Sequence, residues 1–376
     1  MKYMLIAGEA SGDLHAAEVI KNLRKIDRQP VFMFMGGDLM ANAAGRTPLV
    51  HYREMAYMGF SEVVRNLGKI RGNLSTAKRQ LRLWRPDALI LVDYPTFNLK
   101  VATEAHVLGI PVFWYVSPKV WAWKEWRVSA LKRVCTRMMV IFPFEVAYYK
   151  QRHNWDVTYV GNPSVSEMDT LLAHAAGRQE FLKRNKLRDR EIIALLPGSR
   201  IGEIRNNLEV MEKAVMQFPQ YRGVVAGAPG VDPALYAQYT KLPVVFGQTV
   251  DLLKNARAAL VTSGTATLEA ALASVPQVAC YRSNGSKIAY NVMKRMLSVD
   301  FVTLPNLIVG REIIPELLLH HCTEDAIAAN LAPLLRETGV RHAQLDGYKR
   351  MRAVLGIADA GANAARVIYR TLINRS

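Results

Sequence analysis

An α/β protein of two Rossmann-like units in tandem is what the sequence predicts, on three observations. Short apolar runs bounded by turn residues recur along the chain, helical patterns fill most of the intervals between them, and the alternation restarts after a polar, charge-rich stretch at 164–190. Strands alternating with helices make a mainly parallel sheet with helices on both faces. At 376 residues the chain is too long for one ordinary domain and suits two of comparable size.

In the first half the apolar runs are 3–7, 31–35, 88–92, 111–116, 138–142 and 157–160, with helical patterns at 16–26, 73–84 and 101–108. A junction falls near 161–163, and the helical interval follows it. Strands resume at 192–196, 223–226, 243–246, 258–261 and 277–281. Past about residue 341 the pattern is helix, 344–355 and 362–373. The expected domains are therefore 1–163 and 164–343, with 344–376 a helical tail able to pack back on the first domain. No short repeat or low-complexity segment interrupts this order.

The net charge of +17 and pI near 9.8 call for an anionic partner, with nucleic acid, phospholipid and phosphorylated metabolites as the candidates. Cys135, Cys280 and Cys322 lie far apart with no paired spacing, so neither a zinc knuckle nor a disulfide framework is indicated, and a reducing cytoplasm is the simplest home. Glu9 and Asp13 interrupt the first apolar run too early for a signal peptide. No apolar run approaches the length of a membrane-spanning helix, which leaves peripheral contact as the expected mode.

The stretch "LIAGEASGDLH" (5–15) reads as strand, loop, helix. Gly8 and Gly12 permit tight turns, Ser11 and Asp13 are good N-cap residues, and Glu9 and Asp13 are expected at the edge of the sheet. In "ALILVDYPTFNLK" (88–100), Asp93 ends a nearly all-apolar strand, where ligands of parallel sheets bind and where an apolar setting raises a carboxyl toward general-base duty. The plainer reading is a turn-forming Asp that caps the next helix.

"YVSPKVWAWKEWRVSALKRV" (115–134) interleaves Trp121, Trp123 and Trp126 with five cations. That mixture suits a membrane interface, a single-stranded nucleic acid or an amphiphilic phosphorylated substrate, with core packing expected for at least one Trp. Upstream, Phe60, Val63, Val64, Leu67 and Ile70 follow helical spacing, with Met58 nearby, and no acidic residue occurs from Arg65 to Arg85. Such a basic amphipathic helix reads as lying on an anionic membrane, although a helix facing an ordinary core would look similar.

Two strand-to-helix junctions in the second half are shaped for phosphate. "LLPGSRIGEIRNN" (195–207) offers Gly198, Ser199 and Arg200 at a helix start, against the plainer reading of a capped helix with Arg200 paired to Glu203 or solvated. "LVTSGTATLEAALASVP" (260–276) puts Ser263, Gly264, Thr265, Ala266 and Thr267 at a second helix start. Glu269, one turn further in, is placed to accept from both hydroxyls of a ribose. A Thr N-cap with a first-turn Glu would give the same letters. Gly247 and Gln248, just after the strand at 243–246, join this nucleotide set.

The chain lacks a G-x-x-x-x-G-K-[ST] loop and a G-x-G-x-x-G fingerprint, which disfavours an ATPase or a nicotinamide enzyme. His320 and His321 are expected to point in different directions on a helix, and no ligand spacing supports a bound metal.

Taken together, "AGEASGD", "YVSPKVWAW", "LPGSR", "SGTATLEA" and "LPNLIVGREIIPELL" resemble the lipid-A-disaccharide synthases in content and order across essentially the whole chain. The resemblance implies the GT-B arrangement of two Rossmann-like domains facing across a cleft. It implies transfer of 2,3-diacylglucosamine from its UDP donor to the 6-hydroxyl of 2,3-diacylglucosamine 1-phosphate, with inversion, no metal and no cofactor. It places the protein on the cytoplasmic face of the inner membrane, on anionic phospholipid, with no nucleic-acid partner and with a homodimer allowed. In this frame Asp93 is the expected base and Glu9 its competitor. Gly8, Ser11, Gly12 and Asp13 form the acceptor loop, and Asn306 of "LPNL" stands beside the phosphates. The sequence departs from the commoner family pattern at Thr96 and in "GNPS" (161–164), so Thr96 and Asn162 are given no role. The competing readings are a UDP-sugar 2-epimerase, which has no need of the 60–70 helix or the tryptophans, and a basic nucleic-acid-binding protein, which would not explain 263–269.

Overall fold

The computed structural model describes residues 1–55, 66–122, 124–262, 264–282, 300–356 and 359–375. The chain forms two compact units, Met1–Pro163 with Ile357–Ser376, and Ser164–Gly356.

The first unit runs β1 (Lys2–Ala7), α1 (Ala10–Ile26), β2 (Val31–Met35), α2 (Asp38–Ala44), α3 (Leu67–Trp84), β3 (Ala88–Val92), α4 (Pro95–Val107), β4 (Val112–Tyr115), α5 (Val128–Val134), β5 (Arg137–Val140), α6 (Pro143–His153) and β6 (Thr158–Tyr159). Its six strands are all parallel, in the order β2-β1-β3-β4-β5-β6. Alternation along β1 feeds two cores at once. Tyr3, Leu5 and Ala7 pack with Ile20 and Leu23 of α1, whereas Met4 and Ile6 pack with Leu81 of α3 and Val101 of α4. Burial on both faces is why β3 reads ALILV without a polar break.

The second unit runs α7 (Pro163–His174), α8 (Arg178–Arg184), β7 (Ile192–Leu196), α9 (Ile201–Met216), β8 (Arg222–Gly227), α10 (Pro233–Tyr236), β9 (Val244–Phe246), α11 (Thr249–Lys254), β10 (Ala256–Thr262), α12 (Thr265–Leu272), β11 (Gln277–Tyr281), α13 (Leu304–Val309), β12 (Glu316–Leu318), α14 (Glu324–Leu331) and α15 (Gly339–Leu355). Its parallel sheet has the order β12-β11-β10-β7-β8-β9. A final helix, α16 (Ala360–Ile373), returns to the first unit and packs on α1, where Gly361 lets the two backbones approach.

Three features differ from expectation. The C-terminal residues are not one segment: the expected boundary at 343/344 falls inside α15, which Gln344 and Tyr348 fasten to Gln277 of β11, while α16 belongs to the first unit. Strand β12 has no counterpart in the sequence reading, because this edge strand is only three half-buried residues long and Pro315 and Glu316 break the apolar letters around it. Finally, most of "GEASGD" is helix rather than loop, since α1 starts at Ala10 with Glu9 as its N-cap.

Candidate active site

In each sheet the chain starts in the middle, lays strands on one side, then crosses to the other. The strand order therefore reverses between β1 and β3 in the first unit and between β7 and β10 in the second. Loops beyond the carboxyl ends of strands at such a reversal form the ligand crevice of open parallel sheets.

At the β1/β3 reversal the structure brings together Gly8, Glu9, Asp93 and Tyr94. Asp93 and Tyr94 both adopt left-handed backbone, with φ of 42° and 46°. Two such residues in succession cost on the order of 1–3 kcal/mol each unless the surroundings enforce them. The enforcement is visible. Asn98, fully buried in α4, donates its amide to the carbonyls of Asp93 at 2.8 Å and Val92 at 3.3 Å, and the Asp93 N–H donates to the Tyr115 carbonyl at 3.2 Å. The Tyr94 hydroxyl donates to the Met55 carbonyl at 2.7 Å, and its ring lies over Gly8, where a Cβ would come within 2.3 Å of it. Gly8 is thus required by that close approach.

Burial pushes the Asp93 carboxyl up to about 6, the nearby charge of Glu9 adds to the rise, and Lys119 opposes it. A carboxyl in that range is a usable base near neutral pH. Glu9 is half-buried and accepts from the Ser11 hydroxyl at 3.2 Å. Asp13 has a structural task. Its buried carboxylate accepts from the backbone N–H groups of Gly37, Leu39 and Met40 at 2.7, 3.1 and 3.1 Å, which fixes the turn into α2. Gly12 keeps α1 close to β1 and β3, since a Cβ there would meet Ala7 and Val92.

Of the three clustered tryptophans, Trp121 is buried and donates to Glu145, Trp126 is 72% exposed with the Arg127 guanidinium 5.3 Å from its ring, and Trp123 lies outside the described residues. Met58, Phe60, Val63 and Val64 also lie outside them. Leu67 is exposed and Ile70 half-buried at the start of α3, whose Lys78 and Arg82 pair with Glu104 of α4.

At the β7/β10 reversal the two phosphate-shaped loops are neighbours. Gly198, at φ 118°, has no room for a Cβ because Glu203 would be 2.6 Å away. Glu203 accepts from the N–H groups of Ser199 and Arg200 and pairs with the exposed Arg200 guanidinium at 3.1 Å, so in this state a carboxylate of the chain itself holds the donors. Gly264 adopts φ 144°, Thr265 is exposed at the first position of α12, and Ala266 is half-buried. Thr267 is buried and donates to the Gly264 carbonyl at 2.7 Å. Ser263 lies outside the described residues. Thr262, 4% exposed, has an unpartnered hydroxyl at the end of β10 that the sequence reading missed. Glu269 is half-buried, and burial with the charge of Glu167 raises its carboxyl.

Two other nucleotide candidates are occupied otherwise. The Asn306 amide is fully used: its Nδ2 donates to Ile314 O and Glu316 Oε1, and its Oδ1 accepts from the N–H groups of Ile313 and Ile314. With all four hydrogen-bonding positions filled and no exposure, it clamps the turn before β12 and has nothing left for a phosphate. Gln248 exchanges amide hydrogen bonds with Asn185, beside an exposed Gly247 at φ 67°. The His320 and His321 rings do not diverge as expected; their centroids are 3.9 Å apart in a 3-10 turn. Among the described residues no three His, Cys, Asp or Glu side chains are grouped to hold a metal, and no helix is long and apolar enough to cross a membrane.

Asn98 and Glu145 also escaped the sequence reading, and Lys119 entered it only as one of the cations among the tryptophans. Only Glu145 left a local signal, a Pro at the first and an acid at the third position of α6.

Two parallel sheets with polar loops gathered at each reversal define an α/β protein of the GT-B fold class. Solved structures with this fold include a UDP-GlcNAc 2-epimerase from Neisseria meningitidis bound to UDP-GlcNAc, with a TM-score of 0.65, 14% identity and 100% of both chains covered. They also include a calicheamicin glycosyltransferase, at 0.59 and 16%, covering 99% of this chain and 98% of that one. Sequence narrows the class. The family model described as lipid-A-disaccharide synthetase matches residues 3–363. Lipid-A-disaccharide synthases of Myxococcus xanthus and Syntrophus aciditrophicus are 37% and 36% identical over 380 and 385 residues, covering 99% of this chain and 97% and 98% of theirs. The chain belongs to the lipid-A-disaccharide synthase family, and it is a glycosyltransferase. The epimerases share its fold alone.

Proposed function

We propose that the protein transfers 2,3-diacylglucosamine from its UDP donor to the 6-hydroxyl of 2,3-diacylglucosamine 1-phosphate, with Asp93 as the general base. The observation that carries this reading is Asp93 itself, held in a strained turn at the β1/β3 reversal with its carboxyl pushed up to about 6 by burial and Glu9. Its carboxylate takes the proton from the acceptor hydroxyl as that oxygen attacks the anomeric carbon from the face opposite UDP. The bond to the diphosphate breaks, UDP leaves with the electron pair, and an α-linked donor gives a β-1,6-linked disaccharide.

In the second unit, Arg200 and the start of α12 at Gly264 and Thr265 meet the charge developing on the diphosphate. For this the Ser199 and Arg200 donors exchange Glu203 for a phosphate oxygen. Glu269 accepts from the ribose hydroxyls. The face carrying Met58, Phe60, Val63, Val64, Leu67 and Ile70 rests on the anionic phospholipid of the inner membrane, on its cytoplasmic side, and admits the acyl chains. Calorimetry tests the nucleotide placement: Glu269→Ala and Arg200→Ala should each weaken UDP binding roughly 10- to 100-fold, the worth of a charge-assisted contact. Unchanged affinity in both removes the second unit's loops from the site.

A further inference from the structure

The loop after β4 brings Lys119 near Asp93, and a buried carboxylate on α6 fixes that loop. Glu145 is 1% exposed. Its Oε2 accepts from the backbone N–H groups of Phe142 at 3.0 Å and Ile141 at 3.3 Å, and its Oε1 accepts from the indole N–H of Trp121 at 3.2 Å. Ser117 is tied to the same helix through Tyr149: its Oγ lies 2.7 Å from the Tyr149 hydroxyl, and it donates to the Pro118 carbonyl at 3.1 Å. Trp121 is buried and meets Phe144 edge-on at 5.0 Å. Both ends of the 117–121 segment are therefore tied to α6, and between them only Lys119 is exposed. Val116, just before the segment, has φ 62°, a conformation that a β-branched residue keeps only when its surroundings impose it.

We propose that Glu145 is a positioning residue: by gripping Trp121 it holds the loop that brings Lys119 near Asp93, and so sets the charge that Asp93 faces. The inference rests on the reading of Asp93 as base, which gives that charge its use. The groups concerned are few. Asp93 faces Glu9 from the loop after β1 and Lys119 from the loop after β4, while Glu145 faces Ser117 and Trp121 of that loop and Tyr149 of its own helix. The backbone and indole groups at Glu145 can only donate, so its ionised form fits the site, although burial pushes its carboxyl up to about 7. A Gln of the same size would present an amide N–H to one of those donors and release one side of the grip.

The test reads Asp93 directly, without turnover. Full-length protein labelled at the aspartate side-chain carboxyl is titrated by carbon NMR, with the Asp93 resonance assigned from its loss in Asp93→Asn. Removing the opposing charge, as in Lys119→Met, should raise the Asp93 titration by roughly half a pH unit or more. Glu145→Gln should raise it in the same direction, and adding Lys119→Met should raise it no further. Trp121→Phe, which keeps the ring and removes the indole donor, serves if the Gln variant does not fold and should also raise it. A purely structural Glu145 would lower the melting temperature and leave the Asp93 titration in place. The proposal is overturned if Lys119→Met moves Asp93 and neither grip variant does, or if Lys119→Met itself moves nothing. Near-normal turnover in Asp93→Asn would remove the general base instead, and the titration would still report on the grip.

Discussion

Replacing Asp93 by Asn should make the protein more stable and nearly inactive at once. An ionised Asp93 is held in a site that disfavours its charge, so the folded carboxyl titrates at about 6 against an ordinary 3.8. At 1.36 kcal/mol per tenfold in the proton equilibrium, that difference corresponds to about 3 kcal/mol of folding free energy lost above pH 6, an upper figure for a half-buried group. The sign follows from proton binding. Between pH 3.8 and 6 the folded state holds the proton more tightly than the unfolded state, so stability falls as pH rises through that window. Below it both states are neutral and the cost vanishes. Asn keeps the size, carries no charge and tolerates left-handed backbone, so it removes the cost without straining the turn. Urea unfolding should therefore give Asp93→Asn an advantage of about 1–3 kcal/mol at pH 7–8 that shrinks toward zero near pH 4. Turnover should fall about a hundredfold to ten-thousandfold. A variant that is less stable than the parent at pH 7.5, or whose advantage does not change with pH, would refute the account of Asp93 as a carboxyl strained by its site.

Two further outcomes are expected. Asn306→Ala leaves the N–H groups of Ile313 and Ile314 without their acceptor and should cost about 2–3 kcal/mol in urea unfolding, with the UDP affinity of the folded protein unchanged; the reverse pattern would restore Asn306 as a phosphate ligand. Replacing Val64 and Leu67 together by Ser should reduce binding to anionic vesicles and leave UDP binding intact. Unfolding of that variant would instead assign the helical face to a core.

What the sequence disclosed and what it hid divide along physical lines. Strands such as β3 and β7 are buried on both faces, so their unbroken apolar letters announce them, and the loops that follow inherit a place at the sheet reversal. The start of α1 was hidden because small residues and two acids look like a loop, and the partners of Asp13 lie 24 to 27 residues downstream, beyond any local pattern. Asn306 misled for a related reason. A buried amide satisfied by the chain and an amide waiting for phosphate are the same letter, and only the filled hydrogen-bonding positions tell them apart. At Arg200 the plainer alternative was legible in the spacing to Glu203, and it describes the state seen here.

The return of α16 to the first unit bears on biosynthesis. The second unit is one continuous stretch that has all its residues once position 356 has left the ribosome. The first unit, although begun earlier, lacks the helix that packs with Val19 and Leu23 of α1 until residues 360–373 are made. Translation and completion thus run in opposite orders. Until that helix is made a nascent chain carries an unfinished apolar surface on α1, and chains that terminate before it carry it permanently, which makes that surface the natural mark by which quality control can recognise them.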